Sequence, residues 1–337
     1  MTSSLNNNLN KAHHQQYGLP KETITLAGHP EIKGYNFNQS FNFSEFLQAY
    51  ARTGFQATNL ARGIEIAKAM QREQATIFLS FTSNMISSGI RETIHYLTKN
   101  KKVQVLVTSA GGVEEDIIKV LKPFVLGKFN VPGQYLFENG VNRTGNIFVP
   151  NDRYAYFDKF MQEFFKKIYQ KQKARGYPFH PQEFIKELGI QINDESSVLY
   201  QAAKNNIPVF CPGIVDGSIG DLIVFFKQSH PDFLLDVTKE VCEITKLVLN
   251  SEKTAIIALG GGISKHFVLN ANIFREGVDY AVYINTAQEF DGSDSGAKPE
   301  EAISWGKIKT TAPHVKIHAD ATIAFPLLVA GAFVEEN

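Results

Sequence analysis

Short apolar runs recur along this chain, and each closes on glycine or on small polar residues. Ala75 to Phe81 passes into the stretch Thr82 to Gly89, and Val103 to Val107 passes into Thr108-Ser109-Ala110-Gly111-Gly112. Pro208 to Phe210 leads to Cys211-Pro212-Gly213 and then to the loop Asp216 to Asp221. Ala255 to Leu259 leads to Gly260-Gly261-Gly262, Ala281 to Ile284 to Asn285-Thr286-Ala287, and Val315 to Ile317 to His318-Ala319-Asp320-Ala321. Helical periodicity fills most of the gaps; from Ala57 to Gln74, for example, Leu60, Ile64, Ala67 and Met70 trace one face. Runs this short and this apolar read as strands buried on both faces. The alternation predicts an α/β fold with a mostly parallel central sheet and helices on both faces. Ligands of such sheets bind outside the carboxyl ends of the strands, where all these loops are expected.

Asp152 to Asn206 interrupts the rhythm with a helical insertion. Phe157, Phe160, Phe164, Phe165 and Ile168 form an aromatic stripe suited to core packing, and the basic run Lys166 to Arg175 suits a solvated face. Pro181 is placed to start a helix, Gly189 to stop it, and Asn193 or Asp194 to cap the next one; Ser264 is placed to cap the helix after Gly262. Residues 1 to 20 are polar and lack periodicity. The organisation expected is a flexible tail over residues 1–25 and a single domain over 26–337.

Composition narrows the function classes. Lys and Arg together number 34, as do Asp and Glu, so no global charge favours nucleic acid or an anionic membrane. The longest apolar run, Ala324 to Val334, contains Pro326 and is far shorter than the roughly 20 residues of a membrane span. No signal segment is recognisable at the N-terminus. Cys211 and Cys242 are the only cysteines, with no metal-ligating spacing, which fits a reduced, cytoplasmic protein without a metal.

The chemistry gathers in the loops. Gly260 to Gly262, Thr108 to Gly112 and Ser83 to Gly89 each join a strand to a helix through small residues, a form that brings backbone N–H groups up to a pyrophosphate. Tight-turn geometry alone also accounts for each glycine. Asp216 or Asp320 is a candidate for the ribose hydroxyls of NAD. Glu114, Glu115, Asp216, Asp221, Asp291, Asp294, Glu300 and Glu301 make a local carboxylate excess that invites a cationic small molecule or an oxygen-ligated divalent metal, although Glu114, Glu115, Glu300 and Glu301 also read as helix starts. The polar, glycine-punctuated stretch after Ile284 is costly to order without a ligand or partner surface. Pro299 opens a short helix that sets Glu301 and Trp305 four apart, an indole beside a carboxylate being a seat for an ammonium group. Lys307 follows Gly306, and a lysine beside an aromatic wall suits imine chemistry.

Taken together, NTAQEFDGSDSGAKPEEAISWGK at Asn285 to Lys307, SNMIS at Ser83 to Ser87, TSAGGVEED at Thr108 to Asp116, DGSIGD at Asp216 to Asp221, GGGISKH at Gly260 to His266, NAN at Asn270 to Asn272 and HADA at His318 to Ala321 resemble the deoxyhypusine synthase family, in order, over about residues 30 to 330. The resemblance implies a Rossmann-like homotetramer with sites where subunits meet. It implies transfer of the 4-aminobutyl group of spermidine to a lysine of the initiation factor 5A precursor, with NAD as cofactor, an imine on Lys307, and release of 1,3-diaminopropane. It implies that Ser83, Asn84, Met85, Ile86, Ser87, Ser109, Ala110, Gly111, Glu115, Asp216, Gly261, Thr286, Ala287, Asp320 and Ala321 contact NAD. Glu114, Asp221, His266, Asn270, Gly292, Ser293, Asp294, Glu301 and Trp305 are implied to hold spermidine, with Lys307 as nucleophile and His266 as a proton carrier. Alternatives are a homospermidine synthase using putrescine as acceptor, a non-catalytic subunit, which should lack Lys307, and a dehydrogenase releasing NADH.

Overall fold

The structure, a computed structural model, describes residues 25 to 335; all but the last residue of the expected tail lies outside the described residues. Six parallel strands form the central sheet: β1 (Thr76–Phe81), β2 (Val105–Thr108), β6 (Val209–Phe210), β7 (Thr254–Leu259), β8 (Tyr280–Asn285) and β9 (His314–His318), in the order β6-β2-β1-β7-β8-β9. In register, Phe78 pairs with Val105 on one side and Ile256 on the other, and Ile256 with Ala281. Side chains alternate across a strand, so this register sorts the sheet into two cores.

On the first face Ile77, Leu79, Leu106, Ile257, Val282, Ile284 and Ile317 pack under the helices Phe55–Arg72, Ile90–Lys99, Ala110–Leu121 and Ala321–Ala332, together with the helical insertion. The second face, with Phe78, Val105, Val107, Ile256, Ala258, Ala281 and Tyr283, is covered more thinly, by the helices Val237–Leu249, Gly262–Asn272 and Pro299–Ser304. Exposed Val237, Val241, Leu249, Ile263 and Phe274 lie on or beside these covering helices. Among the described residues no helix is long and apolar enough to cross a membrane.

The insertion comprises the helices Asp152–Arg175, Pro181–Ile192 and Val198–Asn205. Phe157, Phe164, Phe165 and Ile168 are buried as expected, Phe160 is partly buried against the same core, and Lys166 lies at the surface paired with Glu163. Three local expectations need correction here. Gly189 does not stop its helix, which runs on to Ile192 and closes at Asn193 in the left-handed region with φ 44°. Gly189 is instead where the next helix crosses, since a Cβ there would lie 2.3 Å from the Leu199 carbonyl oxygen. The next helix is capped by Ser197, which accepts from Tyr200 N–H at 3.0 Å, and not by Asn193 or Asp194. Ser264 likewise is no cap: it is buried within the helix Gly262–Asn272, whose N-cap is Gly261.

A small antiparallel sheet was not expected. It comprises β3 (Val125–Leu126), β4 (Val141–Thr144) and β5 (Ile147–Pro150) in the order β3-β5-β4, with Thr144 and Ile147 paired across Gly145-Asn146 and Gly145 at φ 58°.

Candidate active site

The turn after β1 and the turn after β2 are in direct contact. Ser83 N–H donates to Ser109 Oγ at 3.2 Å. Gly111 permits this approach, because a Cβ there would lie 2.8 Å from the Ser83 Cβ. The Ser87 hydroxyl donates to the Glu115 carboxylate. Burial, with the neighbouring charge of Glu114, pushes the Glu115 carboxyl up to about 7 against the pull of that hydroxyl. Glu114 and Glu115 lie in the second turn of their helix and not at its start, so the helix dipole does not explain them.

Glu114 is held by the loop after β6. Ile219 N–H donates to its Oε1 at 2.7 Å, and a Cβ at Gly217 would lie 2.6 Å from that oxygen. Burial raises the Glu114 carboxyl above its ordinary value, with Asp221 and Asp216 adding to the shift and the Ile219 and Ser218 N–H groups opposing it. Asp216 and Asp221 are exposed, beside exposed Val215, Val224 and Phe225. Tyr154, which sequence reasoning did not single out, borders this group; partial burial and the charges of Glu115 and Glu114 raise its phenol.

A second group lies on the other face. The turn Gly260 to Gly262 touches the turns beside it: Gly260, at φ 81°, would bring a Cβ to 3.0 Å from Thr82 Oγ1, and Gly261 would bring one to 2.5 Å from Ser295 Cα. His266 and Asn270 are exposed, one helical turn apart. Lys307 Nζ lies 3.2 Å from His266 Nε2 and 5.6 Å from the centroid of the Trp305 ring. Lys307 does not sit at the carboxyl edge. Its carbonyl accepts from Val278 N–H, ahead of the first residue of β8, so the chain runs down the second face through the helix Pro299–Ser304 before reaching it.

The stretch Thr286 to Gly296 is tied down from below by two lysines. Lys316 Nζ donates to Ala287 O at 2.8 Å and to Gly296 O at 2.6 Å. Lys265, 1% exposed, donates to the Asp294 carbonyl, with its ammonium 4.9 Å from the Tyr283 ring centroid. Burial lowers its pKa, and Asp294 and Glu301 oppose that shift. Sequence reasoning passed over Lys265, although it falls in line with buried Val268, Leu269 and Asn272 on the core stripe of its helix. Gly292, at φ 72°, and Ser293 are exposed at the tip, where Ser293 N–H donates to Asp291. Asp320 caps the helix Ala321–Ala332, its Oδ1 accepting from Thr322 N–H at 2.8 Å, and Ala321 is buried.

The expected site residues thus fall into two groups. Glu114, Glu115, Asp216 and Asp221 gather by β6 and β2 with the helices of the first face; His266, Asn270, Asp294, Glu301, Trp305 and Lys307 gather by β7 and β8 on the second. Three strand spacings separate β2 from β8, roughly 14 Å, with the sheet between the two groups. Among the described residues no cluster of His, Cys, Asp or Glu is arranged to hold a metal ion.

A family model described as deoxyhypusine synthase matches residues 45–332. A deoxyhypusine synthase of Senecio vernalis is 47% identical, covering 94% of this chain and 93% of that protein. A probable deoxyhypusine synthase of Thermococcus gammatolerans is 48% identical, covering 92% of this chain and 96% of that protein. The crystal structure of an Entamoeba histolytica protein assigned as a deoxyhypusine synthase superposes with a TM-score of 0.62 at 30% identity, covering 90% of this chain and 96% of that one. With a family model over most of its length, relatives near half identity and the parallel sheet in common, this chain belongs to the deoxyhypusine synthase family and is a transferase.

Proposed function

We propose that the deoxyhypusine synthase activity of this chain runs through an imine on Lys307, carries the 4-aminobutyl group of spermidine to a lysine of the initiation factor 5A precursor, and uses NAD. The observation that carries the reading is the Lys307 amine at 3.2 Å from His266 Nε2, beside the Trp305 ring. An imine needs a neutral amine, and His266 is within reach to take the proton that Lys307 must lose. Trp305 offers its ring face, and Glu301 and Asp294 their carboxylates, to the ammonium groups of a polyamine. Lys265, beneath Asp294, fixes the loop carrying that carboxylate.

The residues fit a dinucleotide. Ser83 to Ser87, Ser109 to Gly111 and Gly261 form small-residue turns in mutual contact along the carboxyl edge, with Thr286 and Ala287 on the neighbouring strand end, Asp320 and Ala321 beyond β9, and the carboxylates Glu115 and Asp216 beside them. When bound, NAD supplies reversible hydride acceptance from the carbon next to the secondary amine of spermidine. The chain's part is to hold both molecules and to keep water from the imine.

One copy is ill suited to that last task. Trp305 is 66% exposed, His266 and Glu301 are exposed, and Glu114 and Asp221 lie across the sheet from them. A second copy supplies the missing half: exposed Val215, Val224 and Phe225 flank one group, and exposed Ile263, Phe290 and Trp305 flank the other. This supports an isologous pairing, within a homotetramer, in which each site takes one group from each subunit. Both cores are built on one sheet, which supports residues 26–337 acting as a single domain. The free thiols of Cys211 and Cys242 suit a cytoplasmic setting.

The test is an incubation of the purified chain with NAD, labelled spermidine and either the factor precursor or putrescine. Label on one lysine of the precursor is expected. Label on putrescine alone would make the chain a homospermidine synthase, and steady NADH release with acceptor present would make it a dehydrogenase.

A further inference from the structure

The geometry points to Lys119 as a positioning residue for the dinucleotide, acting through the turn after β1. This inference rests on the proposed binding of NAD by Ser83 to Ser87. The helix in that turn, Asn84–Ser87, is a single turn long and too short to be stable by itself. Its last carbonyls have no helical continuation to receive. Lys119 Nζ donates to Ile86 O at 2.9 Å, Ser87 O at 3.3 Å and Ser88 O at 3.0 Å. Those three contacts take up all three donors of an ammonium group.

Lys119 lies four residues after Glu115 on the helix Ala110–Leu121, so the two side chains share a face. Glu115 accepts from the Ser87 hydroxyl, and Lys119 donates to the backbone carbonyls of Ser87 and of the residues on either side of it. At its upstream end the turn is tied by Ser83 N–H to Ser109 Oγ, and the same helix begins directly after Ser109. One helix therefore holds the turn at both ends. Burial pulls the Lys119 pKa down, which marks the position as costly for a charge. A lysine placed for solubility would extend into water, and one placed for an ion pair would meet a carboxylate; this amine meets carbonyls only.

The test is calorimetric titration of the assembled protein with NAD, alongside initial rates with spermidine. Lys119→Met keeps the apolar stem and removes the donors. Its Kd for NAD is expected to rise roughly tenfold or more, and kcat at saturating NAD to fall less than about threefold. An unchanged Kd, or a fall in kcat with NAD affinity intact, would overturn the inference. Should the methionine variant not fold, Lys119→Arg is read the same way. It keeps the charge but presents a planar fork that does not match three converging carbonyls, so weaker NAD binding is expected and wild-type affinity would sink the idea. In Lys119→Cys, aminoethylation of the thiol should restore tight binding, with alkylated wild type as the control for Cys242. If the wild-type protein itself binds no NAD, the functional reading fails and not the role of Lys119 within it.

Discussion

Lys307 Nζ and His266 Nε2 lie 3.2 Å apart, although the segments that carry them follow two different strands, β8 and β7. The His266 helix runs down the second face from the carboxyl end of β7 to Asn272, which bonds Thr254 at the start of that strand, and Lys307 is reached only after the chain beyond β8 has descended to the level of Val278. Two elements must therefore be in place for the pair to form. Lys307→Ala should abolish transfer, and borohydride added after incubation with NAD and labelled spermidine should trap label on the wild type but not on this variant. His266→Ala keeps the nucleophile and loses its proton acceptor, so a rate loss of about 100-fold or more with trapping still detectable is expected. Equal trapping in all three proteins would place the covalent step elsewhere.

Because Asp221 and Lys307 lie on opposite faces of the sheet, variants of the two should complement one another. Lys307→Ala and Asp221→Ala homo-oligomers are each expected to be inactive. Mixed and allowed to exchange subunits, they form hybrids in which one composite site of each pair is intact, giving roughly a quarter of wild-type activity. No recovery, with exchange verified by native mass spectrometry, would mean that each site lies within one subunit.

The parallel sheet is legible in the sequence because its inner strands are apolar on both faces and end in turns of small residues. The antiparallel sheet is harder to see, since β4 is largely polar and exposed; Gly145-Asn146 between Thr144 and Ile147 is the signal that marks it. Gly189 misleads because a glycine that lets two helices cross looks the same in sequence as one that ends a helix. Lys119, Lys265 and Lys316 escape notice because lysine reads as a solvated charge, whereas here each amine is turned inward onto loop carbonyls. The side chains of the site are named by their motifs, but their division between two faces depends on the path from Thr286 to Ile308, which no local pattern encodes.

Asp116, fully buried, is a structural keystone next to the site. Its Oδ1 accepts from Arg91 Nε at 2.8 Å and Val198 N–H at 3.1 Å, and its Oδ2 from the Ser197 hydroxyl at 2.6 Å and Leu199 N–H at 3.0 Å. Asp116→Ala would leave the buried Arg91 guanidinium with only the exposed Glu92, at 3.5 Å, and the Val198 and Leu199 N–H groups without acceptors. A loss of about 3 to 5 kcal/mol in urea unfolding is expected. Glu163→Ala, which breaks the exposed pair with Lys166, should cost no more than about 1 kcal/mol. Similar losses for the two would mean that the Asp116 network contributes no more than a surface contact.

Glu115 should make stability depend on pH in a direction opposite to that of a paired surface carboxylate. Its ordinary value is 4.5, and burial first, then the charge of Glu114, pushes it up to about 7 in the folded chain. The folded state therefore binds the proton more tightly than the unfolded one. The stability this gives is complete below pH 4.5 and is lost as pH rises through about 7. Glu115→Gln stays neutral and can still bond the Ser87 hydroxyl, so it should be more stable than wild type at pH 8, by on the order of 1 to 3 kcal/mol, and the difference should shrink toward pH 5. Thermal unfolding of both proteins without NAD across that range measures it. A gap that does not change with pH would show that Glu115 is ionised throughout, and that Ser87 holds a full carboxylate in the turn that faces the cofactor.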